Sequence, residues 1–148
     1  MSSTALQSRT GPLTGYRVDR AVALLLAGAS MANGACMLVD PMTWYGVVPG
    51  VTDTGPANTH FIRDIGIAFC AAAVALAWGA LRPVLATALY ATAMVFLGLH
   101  GGLHFIEYLH HGVPMHSLAS DLAGVALPAL LSLILTLRAA IHDKETRP

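Results

Sequence analysis

Residues Val84 to His116 read VLATALYATAMVFLGLHGGLHFIEYLHHGVPMH, and this stretch decides both the fold and where chemistry should be sought. From Val84 to Leu99 it holds no charged residue, and counted on to His104 it reaches the ~20 residues that an α-helix needs to cross a bilayer. Its second half carries five of the seven histidines, His100, His104, His110, His111 and His116, with Glu107 among them. At about 100° per residue, His100, His104, Glu107 and His111 fall within a sector of roughly 60° on one helix face. Imidazoles and a carboxylate on so narrow a stripe are what divalent metals and proton relays use.

The rest of the 148-residue chain agrees with a membrane setting. It is 55% hydrophobic and 11% charged, against about 25% charged in an ordinary soluble domain, and its mean hydropathy is +0.64. Net charge is zero, so nothing in it invites nucleic acid. Cys36 and Cys70 lie in apolar runs without CxxC spacing and read as packed thiols.

Working outward from the histidine stretch, the apolar runs predict an all-α fold, a four-helix transmembrane bundle with spans at about 20–39, 61–81, 84–104 and 118–137. The helical pattern of the third can run on to His111, where Gly112 and Pro114 end it. Residues 1–18 read as a flexible cytoplasmic tail, 19–138 as the bundle and 139–148 as a second cytoplasmic tail. The basic residues before the first run mimic a signal peptide, but the run has spanning length. Asp40 to Thr59, rich in Pro and Gly, reads as a loop, with Trp44 and Tyr45 as interfacial anchors. Arg82-Pro83 leaves room only for a tight turn, so spans two and three are antiparallel neighbours. Pro128 predicts a kink in the fourth span, and Ser117 and Ser120 read as its capping residues.

With both termini cytoplasmic, every one of the eight Lys and Arg except Arg63 falls on the inner side, as the positive-inside rule demands. The location expected is therefore the bacterial inner (cytoplasmic) membrane, multi-pass. Under that topology all four spans deliver polar groups to the extracytoplasmic end: Asp40 from the first; His60, Arg63 and Asp64 from the second; His100, His104 and Glu107 from the third; and His116 and Asp121 from the fourth. A carboxylate at mid-membrane costs about 2.5–3.5 kcal/mol on insertion scales, so such residues turn inward and pair.

Three functional readings follow. The first is a metal site, with His100, His104, His60, Asp64, Glu107 and Asp121 as ligands and Arg63, His111 and His116 pairing around them. The i, i+4 spacings His100/His104 and His60/Asp64 suit two ligands to one ion, and a mixed His/carboxylate set suits copper, iron or zinc. Cys36 and Met37 are softer candidates that fit ordinary packing better. A b-type haem held between His60 and His100 or His104 is a variant of it, while the absence of CxxCH excludes covalent haem. The second reading is non-enzymatic: an accessory subunit of a larger membrane complex, or a homo-oligomer, with the polar cluster serving as a hydrogen-bonded cap. A transporter is disfavoured, because the inner half of the bundle offers no ionisable path. The third is metal-free acid–base catalysis on a lipid-like molecule by Glu107 or Asp64 with a histidine.

The stretch VPGVTDTGPANTHFIRDIGIAF, Val48 to Phe69, together with four spans, resembles small four-helix bacterial membrane proteins, loosely of the DoxX-like kind. That resemblance implies quinone-linked oxidation at the membrane and hence a lipophilic small molecule or quinone as partner. His100-Gly-Gly-Leu-His104 also resembles the HxxxH box of membrane desaturases and hydroxylases, although their other boxes are missing.

Overall fold

A computed structural model of the chain describes residues 11–112 and 116–146, and all of its regular elements are helical. The elements are α1 (Gly11–Val39), α2 (Pro41–Val47), α3 (Thr59–Leu81), α4 (Ala86–His111), α5 (Leu118–Asp121) and α6 (Leu127–Thr146). A π-helical turn, Leu122–Ala126, joins the last two into one continuous rod. Four helices are long and apolar enough to cross a membrane: Gly15–Val39, Thr59–Leu81, Pro83–His111 and Leu118–Glu145. Helices of spanning length and apolarity therefore stand in the four stretches where spans were expected. Helix already begins at Gly11, so part of the expected tail is structured, and residues 1–10 of that tail lie outside the described residues.

Local sequence explains the breaks. Pro41 disfavours helical geometry in the residue before it, and Asp40 sits at φ −136°, ψ 75°. Asp40 therefore ends α1 and, by accepting from the Thr43 N–H at 3.1 Å, caps α2. The Thr43 hydroxyl and N–H together hold the Asp40 carboxyl below its ordinary range. The segment expected as an irregular loop is thus partly helical. Trp44 is not a free anchor, since its Nε1 donates to Asn33 Oδ1 at 2.9 Å and ties α2 back onto α1. Tyr45 similarly donates to the Gly55 carbonyl at 2.6 Å, across a turn that needs positive φ at Gly50 (82°) and Gly55 (120°). Asn58 caps α3 through the Phe61 N–H, and Arg82-Pro83 makes the expected tight turn into α4.

Packing runs round the bundle in the order α1, α3, α4, α6, with α1 against α3 most extensive and α6 against α1 loosest. Lipid removes most of the hydrophobic drive between helices, so close backbone approach and dispersion must hold them together. Each of the three strong interfaces contains a glycine at its tightest point. A Cβ on Gly34 would stand 2.6 Å from the Gly66 carbonyl oxygen and 2.7 Å from Cys70 Sγ, marking the α1–α3 crossing. Gly79 lies beneath the Tyr90 ring between α3 and α4, and a Cβ on Gly101 would meet Ala129 of α6 at 2.8 Å. The most apolar stretch of α3 is 44% buried against 11% for the last rod, so α3 is the most enclosed of the four and the last rod the least.

Gly34→Ala is expected to destabilise the bundle by about 1–3 kcal/mol through overpacking. Gly28→Ala on the same helix, where a Cβ meets nothing within 4 Å, is expected to be neutral or slightly stabilising. Thermal or denaturant unfolding in detergent checks both; equal effects would mean that the Gly34–Gly66 crossing is not where α1 and α3 are held.

Candidate functional site

His100, His104 and Tyr108 follow one another at i, i+4 and i+8 up α4, and Asp121 faces them from the end of α5. His100 is wedged into the helix interface: its ring stacks on Phe96 (5.9 Å between centroids, 11°) and meets the edge of Phe69 from α3 (5.7 Å, 84°). The His104 ring lies 4.9 Å further on, near perpendicular to it. The Tyr108 hydroxyl donates to Asp121 Oδ2 in a short hydrogen bond. His104 Nδ1 stands 3.9 Å from Asp121 Oδ1, which is electrostatic contact and not a direct hydrogen bond. The Asp121 and His104 side chains are 16% and 29% exposed, so this pair is mostly withdrawn from solvent.

The local sequence puts Asp121 there. Its N–H donates to the Ser117 carbonyl at 2.9 Å, and Ser117 is buried under Gly50. The Ser117 side chain makes no cap bond, contrary to its expected capping role, and the Ser120 hydroxyl bonds back to the Ser117 carbonyl. Beyond Asp121 the rod widens into the π-turn, with the Leu127 N–H reaching the Leu122 carbonyl. The widening falls where the Pro128 ring would otherwise press on the Gly124 carbonyl, four residues back. The irregularity that Pro128 announced is thus a π-turn just before it.

Between α4 and this turn lies a recess of about 210 Å³. Gly101, Phe105, Leu122 and Val125 are among its apolar walls, and His104, Tyr108 and Asp121 supply its polar groups. Phe105 and Leu122 are 62% and 56% exposed, so the recess opens sideways, away from α3, on a surface of apolar residues. Apolar walls with polar groups gathered at one place are the lining that ligand recesses in proteins commonly have.

The other expected site residues are placed elsewhere. On α3 the core face is set by Ile62, Gly66 and Phe69, and His60 and Asp64 stand about 160° round the helix from Ile62. They pair with each other at 3.4 Å on an exposed face, their side chains 88% and 53% exposed. They do not join His100, and His60 does not face it as a haem pair would, because Phe69, on which His100 packs, lies on the opposite side of α3. Arg63 Nε donates to the Leu38 carbonyl at 3.2 Å, a cation at the C-terminal end of α1. His116 pairs with Asp53 at 2.8 Å, tying the α2–α3 connection to the start of α5. Glu107, His110 and His111 are exposed. Among the described residues, no three His, Cys, Asp or Glu side chains stand close enough to hold a metal ion.

Tyr108, the direct partner of Asp121, was not among the sequence candidates. Its signal was available, since it continues the His100/His104 spacing by one more turn. Comparison with protein-family profiles, curated proteins and solved structures returns no match. The class defined by fold and site is therefore a four-helix, membrane-compatible bundle with a half-buried His/Tyr/Asp group beside a laterally open recess.

A double-mutant cycle on unfolding free energy, Tyr108→Phe with Asp121→Asn, is expected to give a coupling of about 1–2 kcal/mol, within the range for hydrogen bonds to a charged group and between membrane helices. Glu107→Gln with Asp121→Asn should be additive. Coupling below about 0.3 kcal/mol for the first pair would mean that α4 and α5 do not meet through this bond.

Proposed function

We propose that the chain is a multi-pass protein of the cytoplasmic membrane, termini inward, whose His104–Tyr108–Asp121 group binds the polar head of a lipophilic small molecule taken up from the bilayer. The observation that carries this reading is the recess: its walls are apolar, it opens on the lipid-compatible side, and its polar groups gather at one place. Its orientation rests on charge. Arg17, Arg20, Arg82, Arg138 and Lys144 lie toward the opposite end of the bundle, and Arg63 alone of the described Lys and Arg lies at the site's end.

The head-group chemistry follows from the residues. Tyr108 offers a hydroxyl, His104 an imidazole with ring nitrogens that can donate or accept a hydrogen bond, and Asp121 an acceptor. Together they suit a carbonyl or hydroxyl head, of which a quinone is the candidate that also fits the DoxX-like resemblance of Val48 to Phe69. An oxidoreductase role would be built on that ligand.

Metal binding is the second reading, favoured by the His100 and His104 rings at 4.9 Å and by Asp121 beside His104. It narrows the six-residue set to these three, which would have to close round one copper, iron or zinc ion. An accessory subunit with a structural polar cap is the third, and the Asp53–His116 and Arg63–Leu38 ties at the same end favour it.

The test is a binding titration of the protein in nanodiscs with a decyl-tailed benzoquinone and its quinol, alongside metal analysis of the same samples. His104→Ala and Asp121→Asn are each expected to weaken binding about tenfold or more, as loss of a hydrogen bond to a charged group does. His60→Ala and His116→Ala should leave it unchanged. No saturable binding, or equal losses in all four variants, would remove the ligand reading. A stoichiometric metal lost in His100→Ala and His104→Ala would put the metal reading in its place.

A further inference from the structure

The loosest side of the bundle, where α1 and α6 meet, holds a second cleft of about 350 Å³ at the end opposite the His/Tyr/Asp group. Its walls are apolar: Val18 and Val22 from α1, and Leu131, Ile134 and Leu135 from α6. Asp19 and Arg138 stand at its mouth, with Arg138 Nε donating to Asp19 Oδ1 at 2.7 Å. Leu131 is seven residues before Arg138, so the cleft runs about 10 Å along α6 from the ionic pair toward the middle of the span. The Arg138 guanidinium lies close over the backbone of α1, since a Cβ on Gly15 would approach Nη2 to 3.3 Å.

This arrangement has an energetic consequence in a bilayer. A gap between two spanning helices cannot fill with water at that depth, and left empty its walls lose their dispersion contacts on one side. A hydrocarbon chain restores them. The head that such a chain carries then lies at the level of a paired cation and anion, not of a lone cation. The Arg138–Asp19 bond uses one of the five guanidinium N–H donors and one carboxylate oxygen. A phosphate satisfies the remaining guanidinium donors, while the Asp19 carboxylate repels an anionic head that brings no cation of its own. A primary ammonium can donate to Asp19, and a trimethylated one has no N–H to give.

From this cleft we infer a structural lipid site: one aminophospholipid of the phosphatidylethanolamine type lies between α1 and α6, with its phosphate on Arg138, its ammonium on Asp19 and an acyl chain between the apolar walls. The site shares no residue with the recess beside Asp121. The lipid would complete the fourth side of the ring, between α6 and α1, where the described residues pack most loosely.

The test uses the full-length protein, delipidated in mild detergent and offered phosphatidylethanolamine, phosphatidylcholine or phosphatidylglycerol one at a time. Native mass spectrometry counts the lipids retained. One phosphatidylethanolamine should be held about fivefold more tightly than either of the others, the ratio that ~1 kcal/mol for one charge contact at the membrane surface gives. Asp19→Asn should erase that preference while binding persists. Leu131→Trp, or Ile134→Trp if that chain does not fold, should fill the cleft and expel the lipid without lowering the thermal midpoint. Equal retention of the three lipids, a preference that survives Asp19→Asn, or a lipid still bound to the tryptophan variant would each overturn the site. So would a protein dimer that excludes lipid and is lost in the tryptophan variant, because the cleft would then belong to a second copy.

Discussion

The Asp121 carboxylate, set near the start of an apolar rod, is the constraint on which the polar end of this bundle depends. In low dielectric a carboxylate without partners is costly, so the rod must turn it toward donors. Among the described residues its side-chain partners come from α4, where the Tyr108 hydroxyl supplies the bond and His104 the nearby imidazole. Once that rotation is fixed, the rest of the rod must still bring Ala129 against Gly101, where α4 has no side chain to keep it away. The π-turn between Asp121 and Leu127 lies between these two contacts, beside Pro128. Satisfying the carboxylate and packing the helices at their closest approach thus leave the recess between them, and the same residues that hold the fold line the site.

Stability is distributed unevenly around that site. The α1–α3 pair, locked at Gly34 and Gly66, and the aromatic contact of Phe69 with Phe96 (5.0 Å, perpendicular) form the firm half of the molecule. The last rod is held by α4, by the Asp19–Arg138 pair and by the Thr87 hydroxyl on Asp143 at 2.6 Å, and little of it is buried. Elements with few buried contacts open at lower free energy than the core. On the proposed reading, a ligand from the bilayer would meet this lightly held edge first. The other end of the same rod is tied by the Asp53–His116 pair to the connection after α2, so the rod is strapped at its Asp121 end while the recess beside it stays open.

The spans, the tight Arg82-Pro83 turn and the continuation of α4 to His111 could be read from the chain, because hydrocarbon thickness and proline leave little choice. Asp121 and His104 could also be singled out, since polar residues in apolar helices are few and each needs a partner. The rotation of α3 was the part that one sequence does not fix. His60 and Asp64 repeat the spacing of His100 and His104, but Ile62, Gly66 and Phe69 take the inward face of that helix, and the small residues behind them pack there because lipid rewards close approach. A spacing rule says that two side chains share a face without saying which way that face looks. The histidine stripe was similarly split. Its sector of about 60° is shared between two neighbours and solvent, so His100 goes to α3, His104 to α5 and Glu107 outward. Helix α2 escaped notice because Pro41 reads as a breaker, whereas at the first position of a helix it is well placed.

The central claim is that a lipophilic molecule reaches His104, Tyr108 and Asp121 from within the bilayer. The most direct measurement is photolabelling in vesicles with a diazirine-bearing quinone analogue, followed by mass mapping of the adducts. The account predicts label concentrated on Phe105, Leu122 and Val125 and displaced by excess unlabelled quinone. Label spread evenly over outward-facing residues such as Leu25, Val74 and Leu133, and not displaced by competitor, would contradict it.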